Sequence, residues 1–221
     1  MLGAEEKIKY AIELNPQAEE VHYLYSFFLV TRGRFDEAIA EAKLALELDP
    51  LSLRLHQHLG TTFYYARRYD EAIERYQQTL QLDSDNASVR EVLGDAFEQK
   101  GLREEALGEW QRAMVLGGDE ELATLLRDHN ARAGFAAAMR AVAQKKLERV
   151  CQRREQGGYV PTIELVRAHV RMHDQEKAFA ALAKACAERN VFALLLKSDP
   201  FYDGLRTDRR FAAILKRNGL Q

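Results

Sequence analysis

Apolar and acidic positions along the chain fall into a repeated order. An aromatic or leucine is followed by charged residues and then by a small apolar pair, as in Arg34-Phe35-Asp36-Glu37-Ala38-Ile39. The same order returns at Arg68-Tyr69-Asp70-Glu71-Ala72-Ile73 and at Leu102-Arg103-Glu104-Glu105-Ala106-Leu107, each 34 residues after the last. The punctuation keeps the same period: Glu13-Leu14-Asn15-Pro16, Glu47-Leu48-Asp49-Pro50, Leu82-Asp83-Ser84, then Gly117-Gly118. Helices separated by such stops predict antiparallel pairs in which small residues (Gly60, Gly94, Ala38, Ala72, Ala106) let two backbones approach. Phe63, Phe97, Tyr76 and Trp110 fill the gaps beside them. Gly33 and Gly101 are expected in turns of positive φ.

Past Gly118 the period slips. Helices are predicted over 119–132, 134–156, 161–173 and 174–189, with Pro161 at a favoured helix start. Matching Ala178 to Ala106 gives an offset of 72 where two periods give 68, so the middle unit is about four residues too long, one helical turn.

The second unit carries His56-x2-Leu59-Gly60-x2-Phe63 and Ala72-x3-Tyr76, and the third carries Arg90-x2-Leu93-Gly94-x2-Phe97 and Ala106-x3-Trp110. The first is looser, with His22-x2-Tyr25-Ser26-x2-Leu29, Ala38 and Pro50. This pattern resembles the tetratricopeptide (TPR) repeat. The resemblance implies an all-α fold, a right-handed α-α superhelix (a TPR solenoid) of antiparallel helix pairs, closed here by a C-terminal helical cap. Residues 1–118 then hold the second helix of a truncated unit followed by three regular units. Residues 119–158 form a stretched helix pair, and 159–221 a divergent pair plus the cap. Ala4, Ile8, Ala11 and Pro16 match second-helix positions, so the chain is expected to begin mid-repeat, as a piece of a larger protein or with its missing helix docked elsewhere.

The tail carries a second resemblance. Glu188-Arg189-Asn190, Leu195 to Asp203, Leu205-Arg206-Thr207-Asp208-Arg209-Arg210-Phe211 and Leu215 to Leu220 look like the closing segment of bacterial TPR regulators. In these a winged-helix, kinase or cyclase module precedes the array. Gly204 and Arg209 depart from that pattern where proline is common. Asp199 and Asp208 are placed to cap short helices. Phe201, Leu205, Phe211, Ile214 and Leu215 would cover the last helix pair, with Arg209, Arg210, Lys216 and Arg217 facing water.

Composition sharpens the picture in one respect. The chain has 221 residues and a net charge of −2. Residues 1–118 hold 13 Lys and Arg against 21 Asp and Glu, a net −8, whereas residues 119–221 hold 19 against 13, a net +6. Such asymmetry marks separate partner surfaces or mutual docking of copies, so a homo-oligomer pairing acidic and basic halves is the alternative to partner binding. No apolar run reaches the roughly 18 residues of a membrane helix, and Met1 to Lys9 lack a signal-peptide core. Two lone thiols, Cys151 and Cys186, suit a reducing compartment, so a cytoplasmic location is expected.

Chemistry is not expected. Neither G-x-G-x-x-G nor G-x-x-x-x-G-K-[ST] occurs. His169 and His173 stand four apart on a predicted helix, but a third ligand is missing from the H-E-x-x-H frame. No catalytic residue, cofactor or metal is therefore assigned. Lys145, Lys146, Arg149, Arg153 and Arg154 form a basic stretch that reads as a solvated helix face. A nucleic-acid partner is disfavoured because aromatics interleave poorly there.

In TPR arrays the first helices line a concave groove, and the resemblance implies its residues here. The first unit offers Glu20, Tyr23, Phe27 and Val30. The second offers Arg54, Gln57, Thr61 and Tyr64, and the third Ser88, Glu91, Asp95 and Glu98. A wall that runs from aromatic to acidic would suit a protein or peptide partner with an apolar anchor followed by basic groups. Alternatively, Tyr23 and Phe27 pack against an upstream helix and the acids only solubilise a surface. The carboxylate clamp of one TPR subtype is missing, since Tyr23, Phe27, His58, Ser88 and Val92 occupy its places.

Overall fold

A computed structural model describes residues 2–188 and 191–219. The described residues are all-α, with twelve α-helices, two short 3-10 turns and no strand. The chain divides into two compact units, Met1–Gly117 and Gly118–Gln221. The first holds α1 (Leu2–Leu14), α2 (Glu19–Thr31), α3 (Phe35–Leu48), α4 (Leu53–Tyr65), α5 (Tyr69–Leu82), α6 (Ala87–Gln99) and α7 (Arg103–Leu116). The second holds α8 (Glu120–Ala133), α9 (Phe135–Glu155), α10 (Thr162–Arg171), α11 (Gln175–Ala187) and α12 (Arg209–Arg217), with 3-10 turns at Val191–Leu195 and Pro200–Leu205.

In the first unit α2 pairs with α3, α4 with α5 and α6 with α7, while α1 packs on α2, α3 on α4 and α5 on α6. Ser52 and Asn86 cap the first helices by accepting from the backbone N–H of Leu55 and Val89. Ala38, Ala72 and Ala106 are fully buried. The two glycines act more specifically than backbone approach required. A Cβ on Gly60 would lie 2.5 Å from the Tyr76 ring, and one on Gly94 would lie 2.6 Å from the Trp110 indole. Each glycine therefore seats the aromatic ring of its partner helix. The α2–α3 pair moves the bulk across: Ala42 stands where Tyr76 stands, and Phe27 where Thr61 stands.

The turns inside the pairs are left-handed, with φ of 73° at Gly33 and 79° at Gly101. The α4–α5 pair makes the same turn with Arg67 at φ 61°, a conformation that costs a side-chain-bearing residue about 1 kcal/mol or more. Sequence reading passed over this turn because it carries no glycine.

A further repeated device joins each first helix to the turn before it. His22 Nε2 donates to the Pro16 carbonyl (3.1 Å), His56 Nε2 to the Pro50 carbonyl (3.0 Å), and Arg90 Nη2 to the Ser84 carbonyl (2.7 Å). The three positions are 34 apart, and each reaches back six residues. The second helix completes the device in two pairs, where Glu41 meets His22 Nδ1 at 2.6 Å and Glu109 meets Arg90 at 2.8 Å. The α4–α5 pair has Arg75 at that place, and His56 Nδ1 is buried without a partner.

In the second unit α8 pairs with α9 and α10 with α11; α9 also packs on α10, so residues 119–158 and 159–221 share one compact body. The extra length is a compensation rather than one inserted turn. Helix α9 runs 21 residues where α3, α5 and α7 run 14, and α10 runs only 10. Asp119, Asp174, Asp199 and Asp208 cap the elements that follow them. The cap is built as expected: Leu205 and Phe211 are buried in one cluster with Phe179, Leu182 and Tyr202, and Phe201, Ile214 and Leu215 pack against it. Arg189, Asn190 and Leu220 of the tail lie outside the described residues.

Three expectations need correction here. His173 is in a left-handed turn (φ 57°) beyond α10, so it does not share a helix face with His169. Arg210 does not simply face water: its guanidinium lies 4.2 Å over the Phe179 ring and bonds Glu176 and Asp208. The basic stretch of α9 is partly neutralised within its own unit, because Lys145 pairs with Glu121 and Arg149 with Asp119 and Glu121.

Candidate partner-binding face

The first helices α2, α4 and α6 are successive neighbours, and the groove positions inferred from the repeat are joined across them. Arg54 Nη2 donates to Glu20 Oε2 at 2.5 Å, linking α4 to α2. Gln57 Nε2 donates to Ser88 Oγ at 3.0 Å, linking α4 to α6. Glu20, Arg54 and Ser88 are exposed, and Gln57 is half-buried. Exposed ion pairs of this kind contribute little stability, about 0–1 kcal/mol, so a ligand can exchange with them cheaply.

The α2 end of the face is built around one stack. The Arg54 guanidinium lies 4.4 Å over the Tyr23 ring, and the His58 imidazole meets that ring at 4.5 Å between centroids. His58 Nε2 and Ser26 Oγ are 2.9 Å apart. Tyr23 thus packs on α4. Burial, reinforced by the nearby Arg54 charge, pushes the His58 pKa down to about 4. The unfolded chain titrates this group near 6.5, so the unfolded state binds more protons between the two values. Stability from His58 is therefore complete above about pH 6.5 and is lost as the pH falls towards 4. We expect the urea midpoint of the wild type to drop between pH 7 and pH 5 by the equivalent of about 2 kcal/mol. The drop should be smaller in His58→Gln; equal slopes in the two proteins would remove His58 as the cause.

Further along, the polar groups serve the repeat itself. Tyr76 donates its hydroxyl to Thr61 Oγ1 (3.1 Å), and at the matching place Trp110 Nε1 donates to Asp95 Oδ1 (3.1 Å) and to the Glu91 carbonyl (3.2 Å). Thr61 and Asp95 are thus held from behind by the aromatic seated on Gly60 or Gly94. Tyr64 is only 8% exposed and belongs to the core with Leu59, Phe63 and Ile73, as the apolar environment of the α4–α5 pair requires. Val30 is buried as well. Both leave the set of residues a partner could touch. Phe27 and Glu98 are half-buried, and Glu91 is exposed.

The stack of Arg54, Tyr23 and His58 was missed by sequence reading. The 34-residue spacing of Glu20 and Arg54 was the available signal, since equal positions on successive first helices lie side by side. Among the described residues no group of three His, Cys, Asp or Glu is placed to hold a metal, and no helix is long and apolar enough to cross a membrane.

A sequence profile described as "Tetratricopeptide repeat" matches residues 3–52 and 59–123. No curated protein sequence matches the chain. Among solved structures, MamA is similar at 17% identity and a TM-score of 0.48, over 84% of this chain and 90% of that one. YrrB, titled a TPR protein with an unusual peptide-binding site, is 18% identical with a TM-score of 0.45, over 98% and 93%. The pilF protein of Pseudomonas aeruginosa is 20% identical with a TM-score of 0.49, over 88% and 89%.

Proposed function

The chain belongs to the tetratricopeptide repeat family, and we propose that it is a non-catalytic scaffold whose α2–α4–α6 face holds a protein or peptide segment. The observation that carries this reading is the ladder of side chains across the three first helices. Exposed, readily exchanged polar pairs (Glu20 with Arg54, Gln57 with Ser88) stand on helices that are otherwise locked together by buried Leu55, Leu59, Val89 and Leu93. A rigid frame with exchangeable polar groups binds without a large ordering cost.

The charge distribution sets the partner's chemistry. Arg54 pairs with Glu20 at the α2 end, and Glu91, Asp95 and Glu98 place three carboxylates at the α6 end. A segment with a Lys or Arg towards α6 and an apolar side chain towards Phe27 fits this order. The tail's likeness to the closing segment of regulators supports a place in a larger cytoplasmic bacterial signalling or transcription regulator.

The test is a selection from a randomised peptide library displayed against the full chain. Enriched sequences should share an apolar or aromatic residue followed by Lys or Arg, and they should be lost on Glu91→Lys combined with Glu98→Lys, with helicity by circular dichroism unchanged. Enrichment that survives both reversals would place the binding elsewhere. Asp95 is left out of the variant because it accepts the Trp110 bond.

A further inference from the structure

We propose that the segment occupying this face is supplied by a second copy of the same chain: the loop between α9 and α10, with Tyr159 as its anchor. The inference rests on the peptide-binding reading above and names the partner.

Three observations meet at the loop. First, Tyr159 is 81% exposed, an aromatic side chain held in water with no core to serve. Tyrosine and arginine are both enriched in binding hot spots. Second, the loop is fixed. Gly158 donates its N–H to the Arg153 carbonyl at 2.8 Å, Arg154 donates to Thr162 Oγ1 at 3.2 Å, and Val160 is buried directly after the tyrosine. A preformed loop loses little freedom on docking. Third, its surroundings are basic: Arg153 is exposed, and Lys146 is exposed two turns earlier on the same face of α9. Glu155 is the acidic neighbour, also exposed.

The receiving face has the complementary order. Glu91 and Glu98 on α6 suit Arg153 and Lys146, and half-buried Phe27 on α2 offers a ring to Tyr159. The wider field agrees, with −8 over residues 1–118 and +6 over 119–221. Opposite fields of this kind steer two copies together. The contact joins different surfaces of two molecules and predicts association of copies beyond the monomer.

Sedimentation velocity on the full chain tests this. At low salt the weight-average mass should rise with concentration above that of the monomer, and it should fall back towards 25.3 kDa as salt screens the contact. Tyr159→Ser should weaken association about tenfold or more. The charge swap is decisive. The Glu91→Lys/Glu98→Lys protein and the Lys146→Glu/Arg153→Glu protein should each be monomeric alone and should associate when mixed, because each supplies the complement the other lost. A wild type that stays monomeric at every concentration and salt overturns the proposal, as does association that ignores Tyr159→Ser or a mixture that fails to associate. If the peptide selection still enriches basic sequences in that case, the binding face stands and only the self-partner falls; if it does not, both fall.

Discussion

Replacing Glu109 with alanine is expected to cost about 3–5 kcal/mol, the effect of leaving one member of a buried ion pair without its partner. The carboxylate sits on α7 and takes Arg90 Nη1 of α6 at 2.8 Å and Arg112 Nη1 at 2.5 Å. The Arg90 side chain is only 17% exposed and that of Glu109 only 11%, so water cannot replace the lost contact fully. After the substitution Arg90 keeps only its bond to the Ser84 carbonyl, and its Nε is already buried without an acceptor. The pair itself is a different matter, because desolvation of two charges offsets most of their attraction. Arg90→Leu together with Glu109→Leu should therefore recover most of the lost stability, with the exposed Ser84 carbonyl turning to water. Urea midpoints of the single and double variants check both statements. A double variant as unstable as Glu109→Ala would show that shape at the site, not an abandoned charge, sets the cost.

Much of this device was legible in outline and illegible in detail, for a physical reason. A period of 34 residues fixes which positions are equivalent, and equivalence alone located the regular helix pairs and the buried Ala38, Ala72 and Ala106. Equivalence does not fix chemistry. Positions 22, 56 and 90 are His, His and Arg, and a shared role for them emerges only when all three are seen reaching the same turn carbonyl. The left-handed turn at Arg67 escaped because glycine was the signal for it. The candidate face was legible as a set of positions, yet Tyr64 and Val30 proved to be buried and Asp95 was engaged from behind. The hydrophobic pattern of a short helix says which stripe is apolar, but its edge residues are decided by which partner side chains are long enough to reach them. Trp110 reaches Asp95 and Tyr76 reaches Thr61 because a glycine beneath each ring lets it lie that deep.

That seating gives the second large effect. Trp110→Ala should cost about 3–5 kcal/mol, as expected for emptying a buried aromatic site, and it should also free Asp95 from its indole bond. Gly94→Ala should cost about 1–3 kcal/mol in the wild type, because the new methyl would lie 2.6 Å from the ring and a buried ring has little room to retreat. The two changes must be coupled if the seat is real. With the ring gone the three atoms nearest the methyl are gone, and alanine then gains about 1 kcal/mol over glycine in a helix interior. Gly94→Ala should thus change sign, from destabilising in the wild type to stabilising in the Trp110→Ala background, and the double-mutant cycle should report a coupling of about 2 kcal/mol or more. Gly60 and Tyr76 repeat the geometry at 2.5 Å and should repeat the sign change. Additive costs at both pairs would mean that the glycines serve the backbone after all, and that the rings over Thr61 and Asp95 do not depend on them.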